Sequence, residues 1–218
     1  MLSVIIPTLN ANDGLGACLA AVRSAGEIIV VDGGSADDSV AIARAAGATI
    51  IETAAGRGLQ LGAGAAMASG NWLLFVHADT ILAAGWDRAV AAHIASQPQA
   101  AGYFAFRLDD TAWQARLIEQ AVTVRGAVLR LPYGDQGLLI SRAHYDAIGG
   151  FRPLPLMEDV DLVRRIGRRR LRRLPADAVT SAARWRRDGW ARRSLRNLAC
   201  LAVYLLGGSP TRIVRLYG

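Results

Sequence analysis

The residues best placed to do chemistry follow a short apolar run, Trp72-Leu-Leu-Phe-Val76. An apolar run of this length predicts a strand that is buried on both faces. His77, Ala78 and Asp79 follow the run directly. Polar side chains at the carboxyl end of a buried parallel strand lie where open α/β sheets bind ligands. A carboxylate there can hold a hard divalent cation, and the cation can hold phosphate oxygens. The alternative is that Asp79 only caps a following helix.

Two strand-end turns earlier in the chain carry polar groups of the same kind. Ser3-Val-Ile-Ile6 is a short apolar strand that stops at Pro7, and Glu27-Ile-Ile-Val-Val31 runs into Asp32. Ser35, which follows closely, is typical of a helix N-cap. Strands and helices therefore alternate over the first quarter of the chain. This alternation predicts an α/β fold built on a parallel, doubly wound sheet.

A later segment adds a cluster of acids at the start of a helical pattern. Glu158, Asp159 and Asp161 open an apolar-periodic stretch that runs to Ile166. Acids in a first turn complement the helix dipole, which is a purely structural role. A carboxylate can also accept the proton of a reacting hydroxyl as a general base. The residue pattern alone leaves both interpretations open.

Length and composition suit one domain with a packed core, because 52% of the 218 residues are hydrophobic. No apolar stretch approaches the ~20 residues of a membrane-spanning helix, and we expect no signal peptide. Cys18 and Cys200 lie far apart in apolar helical patterns. We therefore expect two small core residues rather than a disulfide, and a reducing, cytoplasmic compartment.

The net charge of +7 comes from arginine alone, since the chain contains no lysine. The arginines crowd into residues 164–173 and 184–196, which favours a phosphate-bearing ligand, an anionic membrane surface or nucleic acid as partner. A solvated basic face is the alternative. The absence of lysine excludes a P-loop, and no Gly-x-Gly-x-x-Gly follows the first strand. Scattered histidines argue against a zinc site, and the absence of Gly-x-Ser-x-Gly argues against a serine hydrolase.

Five segments in order resemble family 2 glycosyltransferases of the GT-A fold, over roughly residues 2–190. The segments are Ser3-Val-Ile-Ile-Pro-Thr-Leu-Asn10, Ile29-Val-Val-Asp32-Gly-Gly-Ser35-Ala-Asp37, Phe75-Val-His77-Ala-Asp79, Leu156-Met-Glu158-Asp159 and Arg184-Trp185. The His-Ala-Asp and Gly-Asp-Gln segments resemble a small bacterial subgroup of that family. The resemblance implies a GT-A domain over 1–190, with a mostly parallel sheet flanked by helices. Residues 191–218 are then a basic helical C-terminal segment of the same domain.

The resemblance also implies an activity. It implies an inverting, metal-dependent enzyme that moves a sugar from a nucleoside-diphosphate sugar to a hydroxyl acceptor, with Mn²⁺ or Mg²⁺ as cofactor. Asp79 and His77 are the implied metal ligands, and Asp159 is the implied general base, with Glu158 beside it. The residues implied at the nucleotide are Pro7, Thr8, Asn10, Asp32, Arg57 and Ala78. The residues implied at the donor sugar or acceptor are Asp135, Gln136, Arg184 and Trp185.

Three departures from the family pattern bear on these roles. His77 stands where the metal motif usually has Asp, Ser181 stands where the last motif has Gln, and Ala11 with Asn12 replaces an acidic turn residue. Asp32 can alternatively serve its own turn. A non-catalytic basic binding module is a second function class, although acids at the site argue against nucleic acid. A sugar-phosphate nucleotidyltransferase is a third, but its N-terminal lysine is missing.

The apolar helical pattern from Asn197 to Leu206 follows a cluster of arginines. Leu195, Leu198, Leu201, Ala202 and Leu205 are predicted to share one face. Such a face beside arginines suits a helix lying on an anionic membrane surface, and a lipid-linked acceptor is compatible with that. A peripheral position at the inner face of the plasma membrane would follow. Packing onto the catalytic domain and a homodimer contact are the alternatives.

Overall fold

The structure is a computed structural model that describes residues 1–217, so Gly218 of the predicted C-terminal segment lies outside the described residues. Within that range the strands are β1 (Leu2–Thr8), β2 (Glu27–Asp32), β3 (Thr49–Glu52), β4 (Trp72–Phe75), β5 (Thr80–Leu82), β6 (Ala101–Leu108), β7 (Leu138–Ser141) and β8 (Leu171–Thr180). The helices are α1 (Asn12–Ala21), α2 (Ser39–Ala45), α3 (Arg57–Met67), α4 (Trp86–Ser96), α5 (Trp113–Val128), α6 (Arg142–Ala147), α7 (Glu158–Ile166), α8 (Ala183–Asp188), α9 (Trp190–Leu205) and α10 (Pro210–Tyr217). A 3₁₀ turn, Gly134–Gln136, precedes β7.

The strands form one curled sheet in the order β3-β2-β1-β4-β7-β6-β8-β5. β1 pairs in parallel with β2 and β4, β2 pairs in parallel with β3, and β6 pairs in parallel with β8. β7 runs antiparallel to both β4 and β6, and β5 runs antiparallel to β8. The predicted mostly parallel α/β fold with flanking helices is therefore confirmed, with antiparallel strands added in its second half.

Both faces of the sheet are buried, which explains the unbroken apolar runs in its central strands. Alternate residues of β1 enter opposite cores: Val4 and Ile6 pack with α1, whereas Ile5 packs with α3 and α7. Cys18 and Cys200 are both buried and unbridged, as predicted for small core residues. No helix among the described residues has both the length and the apolar character needed to cross a membrane.

The register of the parallel strands brings their carboxyl ends to one edge. Thr8 at the end of β1 pairs with Asp32 at the end of β2, and Ile5 pairs with Phe75 at the end of β4. The residues that follow β4 therefore emerge beside the β1 and β2 turns. This edge is where the sequence predicts ligand binding.

Some local predictions were wrong. Ser35 is not an N-cap, because α2 begins only at Ser39 and the Ser35 hydroxyl donates to Asp32 instead. Asp79 does not cap a helix either, because β5 follows it. The arginine-rich stretch from Arg168 includes part of β8, in which Leu171 and Leu174 are buried while the arginines between them are exposed.

Helix α3 depends on a glycine where it meets the loop before α7. A Cβ atom on Gly58 would lie 2.9 Å from the Leu154 backbone nitrogen and would also collide with the Arg152 carbonyl oxygen. These are backbone atoms, so the loop and the helix would have to move apart. On the same helix, a Cβ on Gly62 would meet its nearest atom, the Phe151 carbonyl oxygen, at an ordinary 3.8 Å.

We expect Gly58→Ala to lower the free energy of unfolding by about 1–3 kcal/mol, the usual cost of overpacking. Gly62→Ala serves as the matched control and should be neutral or raise stability by up to ~1 kcal/mol, because alanine favours helices. Urea unfolding of both variants measures the difference. Equal stabilities for the two variants would contradict the close packing described at Gly58.

Candidate active site

A pocket in the described part of the chain collects most of the predicted site residues. It opens beyond the end of β4, between the 3₁₀ turn, the start of α7 and helices α8 to α10. The predicted residues that line it are Arg57, His77, Asp79, Asp135, Glu158, Asp159, Arg184 and Trp185. The predicted residues outside its lining are Pro7, Thr8, Asn10, Asp32, Ala78 and Gln136.

The turn after β4 holds both metal-ligand candidates, His77 and Asp79. β5 begins directly after this turn, and its Thr80 hydroxyl lies 2.9 Å from the Thr180 hydroxyl of β8. This buried contact fixes the turn against the second half of the sheet. Asp79 Oδ2 lies 3.7 Å from Arg184 Nη2. The fold therefore places the arginine of the last family motif beside the candidate metal ligand.

The three acids that open α7 have different surroundings. Asp161 forms ion pairs with Arg152 at 3.1 Å and with Arg165 at 2.6 Å, so its role is structural. Asp159 lines the pocket and accepts a hydrogen bond from the following backbone amide at 2.7 Å. Glu158 is almost fully buried, and within residues 1–217 its Oε1 has no hydrogen-bond partner. Asp159 is thus the α7 acid that is both half-exposed and directed to the pocket.

Arg57 is the cation that these acids share. Burial lowers the pKa of its guanidinium, but the negative charges of Glu158, Asp159 and Asp79 outweigh burial and raise that pKa overall. The pKa of Glu158 is raised to about 8, chiefly by burial and also by the adjacent Asp159, while Arg57 opposes the shift. Glu158 is therefore mostly protonated at neutral pH, which leaves fewer negative charges for Arg57 to balance.

Burial shifts the pKa of two further pocket residues. The pKa of His77 is lowered to about 4, chiefly by burial and also by the positive charge of Arg57, while Asp79 opposes the shift. Neutral imidazole can ligate a metal or accept a hydrogen bond. Burial also raises the pKa of Asp135 to about 6, against the opposing charge of Arg125. In the described structure, Oδ1 of Asp135 has no hydrogen-bond partner.

The turn after β2 satisfies Asp32 internally. Its Oδ1 accepts from the hydroxyls of Thr8 at 3.1 Å and Ser35 at 2.5 Å, and its Oδ2 accepts from the amides of Gly34 and Ser35 at 2.8 Å. Burial raises the pKa of Asp32, but these hydrogen bonds outweigh burial and lower it overall. Asn10 joins the same network, because its backbone N–H donates to the Ser35 hydroxyl at 2.9 Å. The contact of Asp32 with a base stays a prediction.

Two buried glutamine amides hold the backbone of the site. Gln60 Nε2 donates to the carbonyls of Thr8 at 2.7 Å and Val31 at 2.8 Å, which ties α3 to the ends of β1 and β2. Sequence reasoning missed this residue. Gln136 Nε2 donates to the Phe104 carbonyl at 3.1 Å, so this predicted sugar contact is engaged in positioning the 3₁₀ turn.

The C-terminal helices supply pocket residues that the sequence did not indicate. Arg193 and Asn197 of α9 and Tyr217 of α10 line the pocket together with Trp185. Arg193 and Asn197 lie four residues apart, so they share one face of α9. The i, i+4 spacing of these two polar residues, just before the apolar half of α9, is the signal that could have identified Arg193 and Asn197.

The family profile described as "Glycosyl transferase family 2" matches residues 3–154. The chain belongs to this family. It is a glycosyltransferase of the GT-A fold, as the five motifs implied. The match ends before α7, so Asp159, Arg184 and Trp185 lie beyond it. No curated protein sequence matches the chain.

Solved structures of similar fold include two bacterial proteins. Glucosyl-3-phosphoglycerate synthase from Mycobacterium tuberculosis, in complex with Mn²⁺, uridine diphosphate and glucosyl-3-phosphoglycerate, is 20% identical with a TM-score of 0.61; the match covers 83% of this chain and 70% of that one. S. aureus TarS 1-349 is 14% identical with a TM-score of 0.63, over 99% of this chain and 69% of that one. A second structure of S. aureus TarS is 17% identical with a TM-score of 0.60. That match covers 83% of this chain and 35% of the TarS chain. Identities this low establish the fold only.

The candidate metal ligands of this family 2 glycosyltransferase fit a cation that would also bind the phosphates of the substrate. Among the residues described, no group of three or more His, Cys, Asp or Glu side chains could hold a metal ion. Mg²⁺ bound beside substrate phosphates needs only one or two carboxylates, because phosphate oxygens and water complete its shell. Asp79, half-exposed in the pocket, provides such a carboxylate, and neutral His77 precedes it closely.

We expect Glu158→Gln to change how stability depends on pH. The folded-state pKa of Glu158 is raised from 4.5 to about 8, so over that window the folded protein holds a proton that the unfolded chain releases. The free energy of unfolding therefore falls as pH rises through the window. Glutamine mimics the protonated form, so the variant should be more stable than wild type at pH 8 by at least about 1 kcal/mol.

Urea unfolding between pH 5 and pH 8 measures this difference, with exposed Glu52→Gln as the control. An identical pH dependence for wild type and Glu158→Gln would show that Glu158 is charged in the folded protein.

Proposed function

We propose that this glycosyltransferase is an inverting, metal-dependent enzyme that transfers a sugar from a nucleoside-diphosphate donor to a hydroxyl group. The observation that carries the proposal is the presence of Asp79 and Asp159 in one pocket, on separate elements. Asp79 lies in the turn after the carboxyl end of β4, and Asp159 lies in the first turn of α7. One carboxylate is therefore available to the leaving group and another to the nucleophile. A basic binding module has no use for this pairing.

The donor side of the proposed mechanism lies at Asp79, His77, Arg57 and Arg184. When bound, the divalent cation would act as a Lewis acid that stabilises the negative charge of the departing diphosphate. Asp79 would hold it, with His77 beside it. Arg57 and Arg184 add positive charge at the same place, where charge develops during bond breaking. The M. tuberculosis synthase, whose structure contains Mn²⁺ and uridine diphosphate, supports a divalent cation and a nucleoside diphosphate as the species bound here.

The turn after β2 is the proposed site of the nucleotide base. Pro7, Thr8, Asn10 and Asp32 belong to one edge of the sheet, and Ala78 begins the neighbouring turn. The hydrogen bonds that Asp32 already accepts make this a preorganised turn. A base would then have to be recognised without disturbing them, or by exchanging one of them.

The acceptor side lies at Asp159. We propose that its carboxylate takes the proton of the acceptor hydroxyl while that oxygen attacks the anomeric carbon. The bond from the anomeric carbon to the diphosphate oxygen breaks on the opposite side, so the configuration inverts. Asp135 and Trp185 line the same pocket and would contact the donor sugar or the acceptor. Glu158, mostly protonated at neutral pH, adds little negative charge beside Asp159.

We propose that residues 191–218 continue the GT-A domain that spans 1–190. Cys200 and Leu201 of α9 are buried, and Arg193, Asn197 and Tyr217 line the same pocket as Asp159. A pocket wall drawn from this segment supports its assignment to the catalytic unit. The segment would then be required for activity as well as for stability.

The outer face of α9 is apolar and exposed, and we propose that it contacts an anionic membrane surface at the inner face of the plasma membrane. Leu195 and Leu198 are 67% and 60% exposed, whereas Leu201, predicted on the same face, is buried. Exposed Arg187 and Arg192 lie close by in sequence and can meet anionic headgroups. A lipid-linked acceptor is compatible with such docking.

Asp79→Ala should abolish sugar transfer and remove the metal dependence of nucleotide binding, because the variant loses the carboxylate that would hold the cation. Calorimetry with uridine diphosphate, with and without Mn²⁺, measures the binding. Asp87→Ala, which removes an exposed acid of α4, is the control. Metal-dependent binding that survives in Asp79→Ala would reject the assignment.

Asp159→Asn should lower turnover by roughly 10²–10⁴-fold, the usual contribution of general base catalysis, with donor affinity nearly unchanged. Release of nucleoside diphosphate from donor and acceptor measures turnover. Asp146→Asn, on the exposed side of α6, is the control. Near-normal turnover in Asp159→Asn would leave this residue with a helix-dipole role only.

Leu198→Ser should reduce co-sedimentation of the protein with anionic liposomes at physiological salt, because it removes apolar contact from the outer face of α9. Met67→Ser, at 61% exposure, is a control of matched accessibility on α3. If wild type stays in the supernatant and elutes as a dimer that Leu198→Ser dissociates, the face is a homodimer contact instead.

A further inference from the structure

The helical wall of the pocket carries hydrogen-bond donors that nothing in the described structure satisfies. Trp185 Nε1 and Arg193 Nε are both buried without a partner, and both residues line the pocket. The unpartnered atoms on the other side of the pocket, at Asp135 and Glu158, are carboxyl oxygens. Buried polar groups are rarely left unpaired, so each calls for an explanation. The α8–α9 wall thus contains unpaired N–H groups of the kind that an oxyanion accepts.

This wall contains more positively charged than negatively charged side chains. Asp188 accepts hydrogen bonds from Arg187 at 2.8 Å, Arg193 at 2.8 Å and Arg196 at 2.9 Å. Three guanidinium groups therefore share one carboxylate. The Arg187 side chain is 74% exposed and largely screened by water, but those of Arg193 and Arg196 are only 6% and 23% exposed. This arginine cluster therefore carries more positive than negative charge beside the pocket.

The Arg193 guanidinium is held in place by three neighbours. It lies 5.0 Å above the Trp185 ring, donates to Asp188, and has its Nη2 3.4 Å from the Tyr217 hydroxyl. A guanidinium fixed in this way loses little freedom when it binds an anion. The donor diphosphate has its own arginine, because Arg184 lies at Asp79. Arg193 is therefore available to a second substrate.

We propose that Trp185, Arg193 and Tyr217 form a subsite for a phosphate group of the acceptor, which is therefore a phosphate monoester that also carries the reacting hydroxyl. A phosphate monoester has a charge of about −1.5 to −2 at neutral pH and three acceptor oxygens, which matches the excess charge and the unpaired donors. Asn197 lines the same wall. This inference rests on the proposed function, because it assigns the acceptor of that reaction.

Calorimetric binding of glycerol phosphate to the full chain, saturated with uridine diphosphate and Mg²⁺, tests the subsite. We expect Arg193→Met to weaken binding at least about tenfold, the loss expected for a charge-assisted hydrogen bond. Arg187→Met is the matched control, since Arg187 shares Asp188 but does not line the pocket; its affinity should be unchanged. Equal affinities in the two variants would overturn the assignment.

Trp185→Phe keeps the test decisive if Arg193→Met does not fold. Trp185 Nε1 makes no hydrogen bond in the described structure, so phenylalanine removes a donor without breaking an internal bond. We expect a loss of about fivefold in affinity for glycerol phosphate, from one neutral hydrogen bond. An unchanged affinity would overturn the role of this donor and with it the subsite.

Two competition experiments separate the subsite from the donor site. Displacement of glycerol phosphate by uridine diphosphate would place Arg193 at the donor and overturn the proposal, as would acetate binding as tightly as glycerol phosphate. A wild type that binds glycerol phosphate but no uridine diphosphate would contradict the proposed donor and leave the phosphate subsite standing. A wild type that binds uridine diphosphate but no glycerol phosphate would contradict the phosphate subsite and leave the proposed donor standing.

Dodecyl phosphate identifies the source of the phosphate. If it binds more tightly than glycerol phosphate and Leu198→Ser removes the difference, the acceptor phosphate belongs to a lipid. If both bind equally, it belongs to a small water-soluble phosphate ester. Either result supports the phosphate subsite, whereas binding of neither compound rejects it.

Discussion

The positive charge of Arg57 is the constraint on which the pocket depends. Asp79 and Asp159 come from distant parts of the chain, and each adds negative charge near the same half-buried guanidinium, with the carboxyl group of Glu158 beside them. Without it, these carboxyl groups would face one another in a partly dehydrated pocket, where like charges repel one another strongly. Arg57 opens α3, whose close approach to the loop at Leu154 requires the neighbouring Gly58. Backbone packing outside the pocket therefore positions the positive charge that faces Asp79 and Asp159.

Two regions of the pocket differ in how far their charges are compensated, and this difference suggests what each would bind. The sheet-edge side combines carboxylates with Arg57 and Arg184, an arrangement suited to a cation and a diphosphate together. The α8–α9 wall has more guanidinium groups than carboxylates, and two of its pocket-lining residues, Trp185 and Arg193, carry unpaired N–H donors. A reaction between two substrates needs two such regions, with the anomeric carbon between the leaving group and the nucleophile and the proposed general base beside the nucleophile. The helices after residue 190, beyond the family match, supply much of the second region.

Unpaired polar atoms in the pocket cost stability that the rest of the fold must supply. Central strands buried on both faces provide it, since Val4, Ile5 and Ile6 are fully buried in cores on opposite sides of the sheet. The same trade is common in enzymes, where groups arranged for a ligand are strained or unsatisfied without it. The satisfied turn at Asp32 contrasts with this, because its hydrogen bonds are complete before any ligand binds.

The α/β class, the strands β1, β2 and β4, and the candidates Asp79 and Asp159 could be predicted from the sequence, because apolar runs and the residues that end them are local features. β8 could not, since its arginines mask a strand whose pairing with β6 shifts register between Tyr103 and Ala105. The N-cap predicted at Ser35 failed because Asp32 takes its hydroxyl. Arg193 and Tyr217 reach the pocket only through the packing of α9 and α10, and periodicity carries no information about which distant elements a helix meets. The tertiary structure alone decided which charges face each other, and therefore which of them are compensated.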